Sequence, residues 1–251
     1  MGLSSDQLAF YADNGYVVVP DIVPPDVLTR IRDAITDITN EAQAGRSARL
    51  SDVLVEPDAV GAGAGAATAT ARPPLRKLNA LVPHDPFFRS VAASPAILDV
   101  VAKLTNDATR IMLYSDQVFL KPAHCGSAKP LHQDNSYFRV MPHSHGVTCW
   151  MAVDDATEEN GCMRYTPGSH KLGLLPHKQI SAAHLTPEAS DLGREIPVPV
   201  PAGAAIFHHL LTLHSSEANT SDKPRRAWAL HYANRDAESS VRPWDEMVQM
   251  R

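Results

Sequence analysis

The chain has 251 residues, 44% of them hydrophobic, which is enough for one substantial core, so residues 1–251 are expected to form a single domain. A formal net charge of −5 argues against a nucleic-acid partner, which calls for a basic face. No apolar run reaches membrane-spanning length, and Met1 to Asp6 carries no basic stretch leading into an apolar one. The three cysteines, Cys125, Cys149 and Cys162, are odd in number and form no CxxC pair. They suit free thiols in a reducing compartment, so the expectation is a cytoplasmic protein, monomer or homodimer, without membrane or nucleic-acid partners.

Ser4-Ser5-Asp6 ahead of an apolar stretch predicts a capped short helix, ended by Asn14-Gly15. Tyr16-Val17-Val18-Val19-Pro20, with three β-branched valines, reads as a strand. Pro24-Pro25-Asp26 opens a second helix, with Val27, Leu28, Ile31, Ala34, Ile35 and Ile38 at helical spacing. Residues 60–71 shift to Gly, Ala and Thr without periodicity, predicting a mobile loop that is either a tolerated insertion or part of a lid. Residues 86–103 read as helical, with Pro95 starting a separate helix because proline is tolerated only in a first turn. Beyond them, 111–121, 147–153, 162–166, 203–214 and 225–232 read as strands, separated by turn signals such as Asn160-Gly161 and Pro167-Gly168. Strands and helices do not alternate, so a parallel sheet is not expected. The expected fold is mainly β with flanking helices: short antiparallel strands in a barrel or jelly roll behind an N-terminal helical layer.

Two short motifs carry the chemistry, Leu131-His132-Gln133-Asp134 and Leu213-His214-Ser215-Ser216. Residues two apart in a strand share a face, so His132 and Asp134 are expected to project side by side. His214 closes an apolar run, as in a strand that carries a ligand to a rim. Two histidines and a carboxylate can occupy one face of an octahedron around iron(II), leaving the opposite face for a chelating cosubstrate, dioxygen and water. Arg225 follows across a turn and offers a planar fork for a carboxylate. The blander reading is a His-x-Asp that arises by chance among 12 histidines, with Arg225 and Arg226 as a solvated charge pair. His208 shares the parity of His214 and reads as barrel-lining. His170 reads as structural in its turn, and His231, His143 and His145 as surface residues. No HExxH helix of a zinc hydrolase occurs.

Together with Gln117-Val118-Phe119-Leu120-Lys121-Pro122, the stretch Trp150 to Cys162 and Pro167-Gly168-Ser169-His170, these motifs resemble the phytanoyl-CoA dioxygenase family of iron(II)- and 2-oxoglutarate-dependent oxygenases. The resemblance covers most of the chain and is strongest over 117–232. It implies a double-stranded β-helix of the cupin-like kind, with iron held by His132, Asp134 and His214. It implies that the distal carboxylate of 2-oxoglutarate pairs with Arg225, helped by Ser216, and that Trp150, Gln117 and Lys77 make further cosubstrate contacts. The paired acids Asp154 and Asp155 fall in a structural turn of the family. The implied reaction consumes dioxygen and 2-oxoglutarate, releases succinate and carbon dioxide, and oxidises a C–H bond of a small-molecule substrate. Halogenases of similar fold lack the carboxylate ligand, so Asp134 favours hydroxylation, with desaturation, epoxidation or ring formation as variants.

The segments expected to face the open site are 60–71, 135–146, 171–192 and 233–251. Arg139 is a candidate for meeting an anionic substrate but reads better as a surface residue. No basic cluster suited to a CoA diphosphate is visible, which disfavours an acyl-CoA substrate. A cupin-like metal enzyme that does not use 2-oxoglutarate, and a non-catalytic relative that binds ligand only, are the alternatives.

Overall fold

The strands carry apolar side chains on both faces, and each face is covered by a different partner. The computed structural model describes residues 2–45, 53–56, 74–181 and 184–251. The strands assemble into two main antiparallel sheets. The larger runs in the order Tyr16–Val19, Ala205–His209, Gly146–Ala152, Arg225–Asn234, Ile111–Lys121, Leu75–Asn79, Val53–Val55. The smaller runs Ile196–Val198, Met163–Tyr165, His214–Ser216, Lys129–His132. The chain passes back and forth between the sheets, which is the double-stranded β-helix form of the jelly roll.

Side-chain alternation sorts the core. On the outer face of the larger sheet, Cys149, Met151, Phe207, Trp228 and Leu230 meet helices Pro25–Gln43, Pro86–Ala92 and Pro95–Leu104 through residues such as Ile31, Ile35, Phe88, Ile97 and Val101. On the inner face, Trp150, Ala152, Ile206, Ala227 and Ala229 meet Met163 and Tyr165 of the smaller sheet. The helix boundaries follow local chemistry. Ser4 closes a capping box with Gln7 at the start of helix Ser5–Asn14, and Pro95 sits in the first turn of its own helix. Among the described residues no helix is long and apolar enough to cross a membrane.

Residues 203–214 do not form the single strand expected of them. Ala205–His209 belongs to the larger sheet and His214–Ser216 to the smaller, and 210–213 crosses between them. Leu210, Leu211 and Leu213 are buried in that crossing, so the apolar run continues where the strand has stopped. Gly15, the left-handed cap of the first helix, buttresses the crossing. Its carbonyl accepts from Thr212 Oγ1 at 2.7 Å and from the His209 amide at 2.9 Å, and a Cβ there would lie 2.5 Å from Thr212 Oγ1. The Gly-Ala stretch 60–71 lies outside the described residues.

Candidate metal centre and adjoining cavity

His132 ends one strand of the smaller sheet and His214 begins the strand beside it, directly opposite in register. Antiparallel partners project to one side, and the two rings lie 4.2 Å apart. Asp134 departs from expectation, because it is not in the strand. It stands at the start of a short helix, Asn135–Phe138, with a right-handed helical backbone at φ −57 and ψ −36. The chain leaves the sheet after His132, and this turn, rather than the strand pleat, aims the carboxylate. Oδ1 of Asp134 still lies 3.5 Å from Nε2 of His132 and 3.5 Å from Nε2 of His214. The three buried side chains offer ligand atoms within 4.8 Å of one another.

The surrounding bonds prepare these atoms for a metal. Nδ1 of His132 donates to the Pro130 carbonyl at 2.8 Å, and Nδ1 of His214 to the Thr212 carbonyl at 2.9 Å. With Nδ1 of each ring committed to a carbonyl, Nε2 is the nitrogen left to face the shared point. Burial, with His214 and Lys129 nearby, pushes His132 well below the usual histidine range, so that ring is neutral. Burial alone would raise the Asp134 carboxyl, but His214, His132 and His208 outweigh it and hold the group ionised. Oδ2 of Asp134 accepts from Thr148 Oγ1 at 2.6 Å and from His208 Nε2 at 3.0 Å, which leaves Oδ1 for the metal. Burial brings His208 down to about 4, and the Tyr165 hydroxyl donates to its Nδ1 at 2.9 Å, so the proton of this neutral ring sits on Nε2. Partners that orient a ligand are commonly worth about 10–100-fold in metal affinity. Thr148→Val is accordingly expected to weaken iron(II) binding by roughly that factor, measured by metal titration, with little change in secondary structure by circular dichroism.

Beside the triad lies a cavity of about 230 Å³. Along strand Arg225–Asn234 the alternation turns Arg225, Ala227, Ala229 and His231 inward, and the small side chain of Ala229 leaves room for the cavity it lines. Arg225 is 1% exposed, its Cζ lies 5.5 Å from the Trp150 ring, and its Nε and Nη1 have no hydrogen-bond partner. Burial lowers its pKa to about 10, so it remains a cation at neutral pH. A desolvated guanidinium with unused donors is costly until an anion meets it. Arg226 points the other way, pairing with Asp154 at 2.8 Å and donating to Thr36 Oγ1 at 2.9 Å. The two arginines are therefore not a solvated charge pair. Asp154 and Asp155 hold the turn, Asp155 accepting from the Ala202 amide at 2.9 Å.

Gln117, Trp150, Ser216 and Lys77 all line this cavity, Lys77 with its Nζ 5.2 Å over the Phe119 ring. His208 lies inside the barrel, as expected, and His170 bonds the Ala12 carbonyl at 3.2 Å. His231 was expected at the surface and is instead buried, bonding Thr148 Oγ1 at 2.9 Å and packing 4.7 Å from the Phe138 ring. It lies three alternations along the strand from Arg225, and that parity is the signal that places it inside. Arg139 is exposed. The cavity lining is basic. Arg76, Lys77, Lys121, Lys129 and Arg225 line the cavity, and Asp134 is the only acid among its described lining residues. Arg76 and Lys77 share strand Leu75–Asn79, and Lys121, Lys129 and Arg225 come from three others, so no long charge run marks the set.

Two histidines and one carboxylate at one end of a double-stranded β-helix, with a cavity on their open side, define the non-haem metal class that suits iron(II). The chain belongs to the phytanoyl-CoA dioxygenase family, whose model matches residues 11–227. A probable phytanoyl-CoA dioxygenase of Caenorhabditis elegans is 29% identical over 93% of this chain and 76% of its own length. A phytanoyl-CoA dioxygenase domain-containing protein 1 of Rattus norvegicus is 33% identical over 63% of this chain, a match that spans only 58% of the rat protein. Among solved structures, the epimerase SnoN in complex with Fe3+, alpha ketoglutarate and nogalamycin RO superposes with a TM-score of 0.71 at 22% identity, covering 95% of this chain and 85% of SnoN.

Proposed function

We propose that residues 1–251 act as one iron(II)- and 2-oxoglutarate-dependent dioxygenase domain that hydroxylates an unactivated C–H bond of a small metabolite. His132, Asp134 and His214 hold the iron through Nε2, Oδ1 and Nε2. Arg225, with Ser216, Trp150, Gln117 and Lys77 around it, receives the cosubstrate. The observation that carries this reading is the buried Arg225 guanidinium with unused donors, in the same cavity as the triad. Such a cation would suit one carboxylate of a dicarboxylate cosubstrate, and Fe3+ and alpha ketoglutarate accompany a protein of like fold, SnoN. With iron(II), 2-oxoglutarate and dioxygen bound, the metal supplies the oxidising chemistry, and 2-oxoglutarate leaves as succinate and carbon dioxide.

The chain's own contribution is binding, orientation and exclusion of water. Thr148 and His208 hold Asp134 so that one oxygen faces the metal point. Trp150 shields the Arg225 ion pair on one side, which strengthens it by lowering the local dielectric. The test is succinate release, dependent on both iron(II) and 2-oxoglutarate, across a panel of small metabolites, with the product resolved by mass. A gain of one oxygen atom identifies hydroxylation. Substrate oxidation without succinate would instead identify a metal enzyme that does not use 2-oxoglutarate, and metal binding without turnover a ligand-binding relative.

A further inference from the structure

Resting on the proposed function, the cavity holds more positive charge than iron and cosubstrate call for. With both in place, the two charges of the metal and that of Arg225 are balanced by Asp134 and the two carboxylates of 2-oxoglutarate. Lys121, brought down to about 6 by burial and the nearby Arg225, carries little of this charge and donates to the carbonyls of Ser127 and Glu217. Lys77 stacks over Phe119 and stands with the cosubstrate residues. Arg76 and Lys129 remain. Arg76 Nη2 lies 2.5 Å from His184 Nε2, and burial with Lys129 and Arg76 close by brings that imidazole down to about 4, so it is neutral and offsets no charge. Lys129 Nζ lies 3.4 Å from the Tyr137 hydroxyl, which also accepts from the Leu185 amide at 2.8 Å. Among the described residues, neither cation has a carboxylate in ion-pair range.

We propose that Arg76 and Lys129, with the Tyr137 hydroxyl between them and the triad, form a second anion site in the cavity that holds the carboxylate or phosphate group of the primary substrate. The position suits that role. Tyr137 packs its ring 5.9 Å from that of His132, so an anion at this end sits close to the metal point without occupying it. The strand pair His177–Ser181 and His184–Pro187 supplies His184 and the Leu185 amide at the same place. Burial first, then the neighbouring cations Lys77 and Arg76, bring the Lys129 ammonium down to about 7 against the opposing pull of Asp134, so an anion beside it would favour its charged form. The remaining substrate body then extends over the triad, and the anionic head fixes which carbon faces it.

The test uses full-length protein loaded with iron(II) and 2-oxoglutarate under anaerobic conditions and titrated calorimetrically with octanoate, octyl phosphate and octanamide. At least one of the two anions is expected to bind roughly ten-fold or more tighter than the neutral amide, since a partly desolvated ion pair is worth at least that much. Which anion leads distinguishes a carboxylate from a phosphate substrate. Arg76→Gln and Lys129→Met are each expected to erase most of that preference, and Lys129→Arg to retain it. The affinity for 2-oxoglutarate, read separately in the same variants, stays within about two-fold because Arg225 is untouched. Equal binding of anions and amide overturns the assignment, and so does a preference that survives both charge-removing variants. A steep loss of 2-oxoglutarate binding in those variants overturns it as well, by giving the two cations to the cosubstrate. Failure of wild-type protein to bind 2-oxoglutarate at all would remove the proposed function, while the anion-to-amide ratio would still decide the second site.

Discussion

Asp134→Ala is expected to abolish 2-oxoglutarate turnover and to cut iron(II) affinity by more than the roughly 10–100-fold attached to residues that merely orient a ligand. Asp134 Oδ1 is the oxygen nearest both Nε2 atoms, and the described residues present no second carboxylate to the cavity. The same substitution leaves the His208 N–H buried without an acceptor, at about 1–3 kcal/mol, and the Thr148 hydroxyl with His231 Nδ1 as its remaining partner. A fall in melting temperature of several degrees is therefore expected alongside the loss of metal. Asp134→Asn separates the two effects, because its amide oxygen still accepts from those donors. It should retain most of the stability and none of the turnover. Metal titration, succinate assay and thermal melts on the two variants check this, and undiminished succinate release in either would overturn the assignment of Asp134.

Arg225→Met has two expected effects of opposite sign. Affinity for 2-oxoglutarate should fall by about 2–5 kcal/mol, roughly 30-fold to several-thousand-fold, because a desolvated carboxylate loses its ionic partner. The ligand-free protein should become more stable, because a buried cation with unused donors is replaced by an apolar side chain of similar length. In wild-type protein, 2-oxoglutarate at about a hundred times its dissociation constant, with the metal bound, should add about 2.7 kcal/mol of stability, and the variant should lose that gain. Arg226→Met is the control. It faces away from the cavity onto Asp154 and should leave the 2-oxoglutarate titration unchanged. A normal titration for Arg225→Met would move the cosubstrate anchor elsewhere.

What was legible in the chain was what local chemistry decides. Pro25, Pro86 and Pro95 occupy first turns of helices, and the Ser4 box and Gly15 bound the first helix, because caps and fixed φ act within a few residues. Motif and spacing marked His132, Asp134, His214 and Arg225, and the family resemblance added Gln117, Trp150, Ser216 and Lys77, all of which line the cavity. What was not legible depends on how the chain crosses space. The crossing at 210–213 is as apolar as a strand because it is buried between the sheets, so hydrophobicity alone does not end the strand before it. Asp134 meets His132 by leaving the sheet, which parity does not anticipate. His231 was assigned to the wrong side, although the same parity that turns Arg225 inward would have placed it. The basic lining is assembled from Arg76, from Lys121 and Lys129 on two successive strands, and from Arg225 much later in the chain, and the jelly roll brings them to one cavity.

The central claim, that one cavity holds iron at His132, Asp134 and His214 and 2-oxoglutarate at Arg225, is tested most directly by an anaerobic absorbance titration. Chelation of iron(II) by a 2-oxo acid gives a visible charge-transfer band that neither partner gives alone. Wild-type protein is predicted to develop this band with one 2-oxoglutarate per chain. Asp134→Ala is predicted to lack it, and Arg225→Met to develop it only at far higher 2-oxoglutarate. Absence of the band in the wild type, or a band that titrates identically in all three proteins, would contradict the account.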